Sequence, residues 1–253
     1  MDQRFTLMRR RLVKLSRILT RRDRLLATVW CRWNGTTFET WARRIDPALW
    51  SETLEMARQI ARDAARIIPG LPITGGQPGA RGGGGCDVRK LYFLARWVKP
   101  EVIVETGVSA GYSSRAFLEA IRVNGFGRLY SSDLPFFLER EQVGCLVPAS
   151  LRGNWQLFYE GDSTNLPRIL SVVTHIDLFH YDSDKALQAK ESVFAMIRPR
   201  MAPDGLIVVD DIERDAFFRT VARRWGRDSL VFRNVGVVGL GERQMRPTIR
   251  PTN

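Results

Sequence analysis

The sequence predicts a doubly wound α/β domain: a mostly parallel sheet with an antiparallel edge hairpin, preceded by an N-terminal helical arm. Two observations predict it. From residue 87 onward, short apolar runs alternate with stretches of helical periodicity, as strand–helix–strand crossovers require. The last two runs, SLVFRN and GVVGL, are joined by a tight turn at Asn234, which suggests the hairpin.

The arm covers residues 1–68. Phe5, Leu12, Leu15, Ile18, Leu19, Leu25, Leu26 and Val29 recur at three- and four-residue steps between arginines, so Phe5 to Trp33 reads as a basic amphipathic helix. Such a helix packs on its own domain or on a second subunit with its arginines in water. Its other uses are an acidic membrane surface or nucleic acid. A homo-oligomer formed through the arm is the expectation. Asp46-Pro47 opens a second helix, which runs to Ile68 and stops at Pro69-Gly70.

Residues 69–86, PGLPITGGQPGARGGGGC, form a Gly/Pro-rich loop. No strand precedes its glycine run and no Gly-Lys-Ser/Thr follows, so it reads as a hinge or lid and not as a phosphate loop. The α/β domain spans 87–241. Its expected strands are 101–106, 128–133, 155–160, 176–182 and 205–211, then the hairpin. Its expected helices are 87–98, 112–123, 164–173, 184–197 and 213–225. The polar tail, 242–253, reads as loose.

Composition narrows the function classes. With 44% hydrophobic residues, wholesale disorder is excluded. No apolar run approaches the roughly 20 residues of a membrane span, and none follows the N-terminus as a secretory signal would. Cys31, Cys86 and Cys145 are far apart and share no metal-ligand spacing, which fits reduced thiols and a cytoplasmic location. Residues 1–50 hold twelve Arg and Lys against four Asp and Glu, so most of the +12 net charge belongs to the arm. Arginine dominates, with five lysines in the chain, a bias attributed mainly to genomic base composition.

Ligands of such sheets bind at the carboxyl ends of the strands. Those ends carry Glu105, Asp133, Glu160 to Asp162, Asp182, and Asp210-Asp211. Crowded carboxylates repel each other, so their clustering points to hydroxyl-rich or cationic ligands, or to a metal. The first turn, VETGVSAGYSS, places Gly107 for a sharp turn and Gly111 for close approach of the backbone to a ligand. Ser109, Ser113 and Ser114 offer hydrogen bonds nearby.

VIVETGVSAGYSS, then LYSSDLP, then YEGDS resemble the ordered ligand motifs of class I S-adenosylmethionine-dependent methyltransferases, over about residues 86–240. The resemblance implies a Rossmann-like fold and S-adenosylmethionine as cofactor. Glu105, Gly107 and Gly111 would shape the pocket for its methionine part. Asp133 would accept the ribose hydroxyls, a role that its position after the glycine turn also supports. Asp162 would contact the adenine amino group, by resemblance alone; its other reading is a helix cap.

DLFHYDSDK and VVDDI are similar to the metal site of O-methyltransferases like catechol O-methyltransferase, with Asp211 where Asn is usual. The resemblance implies Asp182, Asp210 and Asp211 as ligands of Mg²⁺ or a similar divalent cation. The alternative is that Asp184 and Asp211 cap helices and Asp182 binds substrate or cofactor without metal. Lys185 stands at an expected helix N-terminus, which lowers an amine's pKa, while the nearby acids raise it. In its neutral form it could take the acceptor's proton, with His180 as the competing base beside Asp182. The acceptor is then a small molecule with a hydroxyl group.

Three rivals remain on the sequence. An RNA or other macromolecule methyltransferase would use the basic arm as anchor. HYDSDK stands where base N-methyltransferases carry D/N-P-P-Y/F. A nicotinamide oxidoreductase would want a third glycine in the turn. A non-catalytic module would use the arm for docking.

Overall fold

In the computed structural model the described residues are 22–33, 35–70, 87–135 and 138–240. Most of the glycine-rich loop, the tail and the first turns of the expected arm helix lie outside them.

The arm begins with helix α1, residues 22–33. A short helix follows, α2 (Phe38–Ile45), then α3 (Pro47–Ile67). The sequence reading had no helix at α2. Its signal was nonetheless present: Phe38, Trp41, Ala42 and Ile45 are buried at helical spacing, and the Thr37 side chain caps the first turn. Asp46 caps α3 in the same way, accepting from the Leu49 N–H at 2.8 Å.

The domain then alternates: α4 (Val88–Val98), β1 (Val102–Thr106), α5 (Tyr112–Asn124), β2 (Arg128–Ser132), β3 (Trp155–Phe158), α6 (Asp162–Val172) and β4 (Ile176–Tyr181). It continues through α7 (Leu187–Ile197), β5 (Met201–Val209), α8 (Phe217–Trp225), β6 (Ser229–Phe232) and β7 (Val235–Val238). The strand order is β3-β2-β1-β4-β5-β7-β6. Strands β1 to β5 pair in parallel, while β7 runs antiparallel to both β5 and β6. This is the expected Rossmann-like sheet with its antiparallel edge.

The period of two along each strand divides the core. Ile103, Leu178, Leu206 and Val237 face the layer of α2 to α5, with Phe93 and Phe117. Val104, Phe179, Ile207 and Val238 face α6 to α8, with Phe194 and Phe218. The arm shares the first core. Phe38 packs against Phe93 and Phe232, with ring centroids 5.6 and 5.0 Å apart. No helix among the described residues is long and apolar enough to cross a membrane.

Two helices start later than expected. Helix α7 begins at Leu187 because Asp184 accepts the Ala186 N–H at 2.8 Å and holds 182–186 as a loop. Helix α8 begins at Phe217 because the chain first makes a 3₁₀ turn at Ile212–Arg214, and extended Asp215 then receives the Phe217 N–H. Both delays put polar loop, not helix, at the carboxyl edge.

Candidate active site

The strand order reverses between β1 and β4, and a cavity of about 1380 Å³ opens at the carboxyl edge there. Its lining includes Gly107, Ser109, Ser113, Asp133 and Asp162, together with Asp182, Lys185, Asp210 and Asp211.

One half is built by the loops after β1, β2 and β3. Asp133 Oδ2 accepts the backbone N–H groups of Val108 and Ser109 at 2.8 and 2.6 Å. The acid therefore holds the glycine loop closed, and its Oδ1 has no protein partner among the described residues. Burial pushes the Asp133 carboxyl above its usual range despite the two N–H donors, and Glu105 and Asp162 add to the rise. Ser109 adopts a left-handed conformation at φ 49°, and its Oγ is buried without a partner among the described residues. Asp162 opens α6 but ties two loops together: Ser132 Oγ donates to Oδ1 at 2.6 Å and Ser183 Oγ to Oδ2 at 2.5 Å. Burial raises this carboxyl too, against the two serine donors.

Sequence reasoning missed two residues in this half. Leu134 lines the cavity, 65% exposed, as an apolar shelf beside Asp133. An apolar residue straight after the acid was its signal. Asn165 is fully buried; its Nδ2 donates to Ser132 Oγ and to the Asp133 carbonyl, and its Oδ1 accepts the Glu160 N–H. Nothing in the local sequence marks it, because its partners lie on other elements.

The other half is an alternating row of charge. Lys185 Nζ donates to Asp182 Oδ1 at 2.6 Å and lies 3.3 Å from Asp211 Oδ2. Arg214 pairs with the same Asp211 oxygen at 3.0 Å. Beneath the row, Asp210 Oδ1 accepts the Asp211 N–H and Asn234 Nδ2, at 2.9 and 3.0 Å. Burial, then the charge of Asp182, pushes the Asp210 carboxyl up to about 6. Burial works to lower the Lys185 ammonium, but Asp182, Asp211 and Asp210 outweigh it and hold its pKa above the usual lysine value. The balance that the sequence left open thus falls towards the ammonium, away from the neutral form that a base would need. Lys185 also precedes α7 and does not sit within its first turn.

Three expected site residues stand behind the cavity. Glu105 is fully buried, paired in register with His180 on β4. Its Oε1 accepts from Ser114 Oγ and from Ser131 Oγ, and its Oε2 lies 3.9 Å from His180 Nδ1. His180 is fully buried against the Phe117 ring and absent from the cavity wall, so it cannot compete as a base for an acceptor. Gly111 has φ 92°, and a β-carbon there would meet Gly144 Cα at 2.9 Å. The close approach that the protein makes at Gly111 is to the turn at 143–146.

The expected divalent cation does not fit the side chains as they stand. Among the described residues no group of three or more His, Cys, Asp or Glu side chains is arranged to hold one. The Lys185 ammonium lies between Asp182 and Asp211, where a cation would be shared. Asp211 caps no helix through its side chain; it binds Lys185 and Arg214 instead.

S-adenosylmethionine does fit the first half. Asp133 Oδ1 and Ser109 Oγ, both without a partner among the described residues, supply polar groups, and Leu134 offers an apolar face for a ring. Fold and cavity together define a Rossmann-like α/β protein with an open cavity at the carboxyl edge of its sheet. Residues 104–212 match the family described as "Methyltransferase domain". The chain has the class I S-adenosylmethionine-dependent methyltransferase fold. No curated protein matches it significantly. Solved structures share the fold at low identity. An O-methyltransferase from Bacillus cereus in complex with SAH is 15% identical, with a TM-score of 0.51 over 73% of this chain and 90% of that one. TomG, an O-methyltransferase from Streptomyces achromogenes, is 18% identical, with a TM-score of 0.50 over 74% and 90%. CalS11, a TDP-rhamnose 3'-O-methyltransferase, is 17% identical, with a TM-score of 0.51 over 75% and 94%.

Proposed function

We propose that the protein is an S-adenosylmethionine-dependent methyltransferase acting on a hydroxyl of a small molecule: a natural product, a phenol or a sugar. One observation carries the reading. A single cavity has nucleoside-binding groups on one side and a lysine among carboxylates on the other. Its volume of about 1380 Å³ exceeds the roughly 300–1,000 Å³ of a one-ligand site, which leaves room for donor and acceptor together. The shared fold with TomG, an enzyme of tomaymycin synthesis, and with a TDP-rhamnose methyltransferase supports a natural-product or sugar hydroxyl.

S-adenosylmethionine, when bound, supplies an electrophilic methyl group on a sulfonium. Asp133 accepts the ribose hydroxyls through its free oxygen, and Leu134 covers the adenine face. Each Asp162 oxygen keeps a second lone pair for the adenine amino group. Across the cavity, Lys185 stays an ammonium. It orients the acceptor oxygen and stabilises the negative charge that grows there. In the displacement the acceptor oxygen would gain the methyl group as the bond from that carbon to the sulfonium sulfur breaks and a neutral thioether leaves, and the acceptor's proton would pass to a carboxylate. Asp210 suits that transfer: its Oδ2 has no protein partner among the described residues, and its carboxyl titrates near 6. Asp182 holds Lys185 in position. No step uses a metal ion.

Calorimetry with S-adenosylmethionine is the first test, and absence of binding removes the enzyme reading. Turnover is then screened on catechols, flavonoids and sugar-bearing metabolites. With a working acceptor, Lys185→Met is expected to slow turnover about 10²–10³-fold while cofactor affinity stays unchanged. Excess chelator is expected to leave turnover unchanged, because the Lys185 ammonium already stands between Asp182 and Asp211. Activity lost to chelator and restored by Mg²⁺ would return the cation to Asp182 and Asp211.

A further inference from the structure

Helix α1 has two apolar faces, and the protein uses one. Ala27 and Cys31 are 3% and 4% exposed. Beside them Trp30 packs on Phe218, with ring centroids 6.5 Å apart, and the Arg219 guanidinium lies 5.2 Å over the Trp30 ring. These contacts seat α1 against α8. On the opposite side, Leu25, Leu26, Val29 and Trp33 are 63%, 52%, 54% and 88% exposed. At about 100° per residue these four share one arc of the helix, turned away from Ala27 and Cys31. Arg22 and Arg32, both exposed, fall on or beside the same arc. A large apolar residue left in water singly needs no explanation, but four aligned on one arc mark a contact surface.

We infer that this outer face of α1 docks on an anionic phospholipid surface, with Leu25, Leu26, Val29 and Trp33 entering the headgroup boundary and the arginines among the lipid phosphates. The charge selects this occupant. Residues 1–24 carry nine Arg and Lys against Asp2 and Asp23. A second copy would set Arg22 and Arg32 of the two faces against each other. Nucleic acid would pair with the arginines but leave Leu25, Leu26 and Val29 in water. An anionic headgroup layer matches both parts: phosphates for the guanidinium groups and acyl boundary for the apolar stripe. A tryptophan at the end of such a stripe suits the boundary because its ring is apolar and its N–H polar.

The full chain is mixed with vesicles of phosphatidylcholine alone, or of phosphatidylcholine with phosphatidylglycerol, and bound protein is sedimented. Neither cofactor nor acceptor is needed, so the result stands apart from the proposed activity. Binding is expected to the phosphatidylglycerol vesicles and not to the neutral ones, and to weaken as salt rises. Leu26→Ser with Val29→Ser keeps the charge and is expected to lower partitioning about tenfold or more. The residues are exposed, so thermal melts of this variant are expected to match the parent. Brominated lipid is expected to quench part of the fluorescence, and Trp33→Phe to remove that part. Equal binding to both vesicle types, no binding, or an unchanged Leu26→Ser/Val29→Ser variant overturns the inference. So does a dimer in light scattering that the double variant dissociates, which assigns the face to a second copy. RNA binding that phosphatidylglycerol vesicles fail to displace assigns it to nucleic acid and overturns it equally.

Discussion

The carbonyl oxygen of Asp182 lies where a side chain on Gly107 would have to be: a β-carbon there would sit 2.2 Å from it. The two loops press together because the Asp182 N–H donates to the Thr106 carbonyl at 3.0 Å, extending the β1–β4 ladder past the strand ends. The two halves of the cavity thus touch at this glycine. Gly107→Ala meets both the clash and a φ of +82°. It is expected to cost about 2–4 kcal/mol of stability, read from the denaturant midpoint. A midpoint equal to that of the parent protein would show that the loops separate freely.

Asp133 has two tasks, and two substitutions separate them. Asp133→Ala removes the acceptor of the Val108 and Ser109 N–H groups and the ribose partner together. It is expected to weaken S-adenosylmethionine binding by roughly 1.5–3 kcal/mol in calorimetry. Asp133→Asn keeps one carbonyl oxygen for the loop, so its loss is expected to be the smaller. Unchanged affinity in the alanine variant would remove Asp133 from the cofactor site.

The Asp210 carboxyl is pushed up to about 6, against an ordinary aspartate value of 3.8. The folded protein therefore binds a proton more readily than the unfolded chain between these values. Stability from this group rises as pH falls through about 6 and is lost again as pH rises through it. The full effect is at most about 3 kcal/mol. Asp210→Asn can keep its oxygen for the Asp211 and Asn234 donors. It is expected to be more stable than the parent at neutral pH and equal to it near pH 4. Denaturant curves across that range check this, and a constant difference would contradict the buried ionisation.

Phe38 is the arm's anchor in the core. Its ring meets Trp41, Trp50, Phe93 and Phe232, with centroids 5.0 to 5.9 Å away. Phe38→Ala is expected to destabilise the whole domain by about 3–5 kcal/mol, with one cooperative transition in calorimetry. Loss of arm signal alone, with the sheet unaffected, would mean that the arm folds as a separate unit.

Much of the fold was legible in the sequence. Apolar runs such as VIVET and LFHY set the strands, turn residues punctuated them, and acids at the strand ends marked the edge where the cavity lies. These are local properties: periodicity, turn chemistry and chain direction act within a few residues. The need for glycine at 107 was legible for the same reason. Its left-handed φ belongs to the turn itself.

Only the tertiary structure decided what the side chains face. The Lys185 pKa is held up first by its neighbour Asp182, and then by Asp211 and Asp210, which the fold brings in from the end of β5. His180 is on the right strand but is sealed behind Glu105 and Phe117. Gly111 answers to Gly144 across a turn. The outer stripe of α1 was part of one apolar pattern in the sequence, and packing against α8 separated its used face from its free one. The physical reason is common to all four. Protonation, burial and close approach depend on the sum of neighbours in space, and those neighbours come from elements that the chain brings together only when it folds.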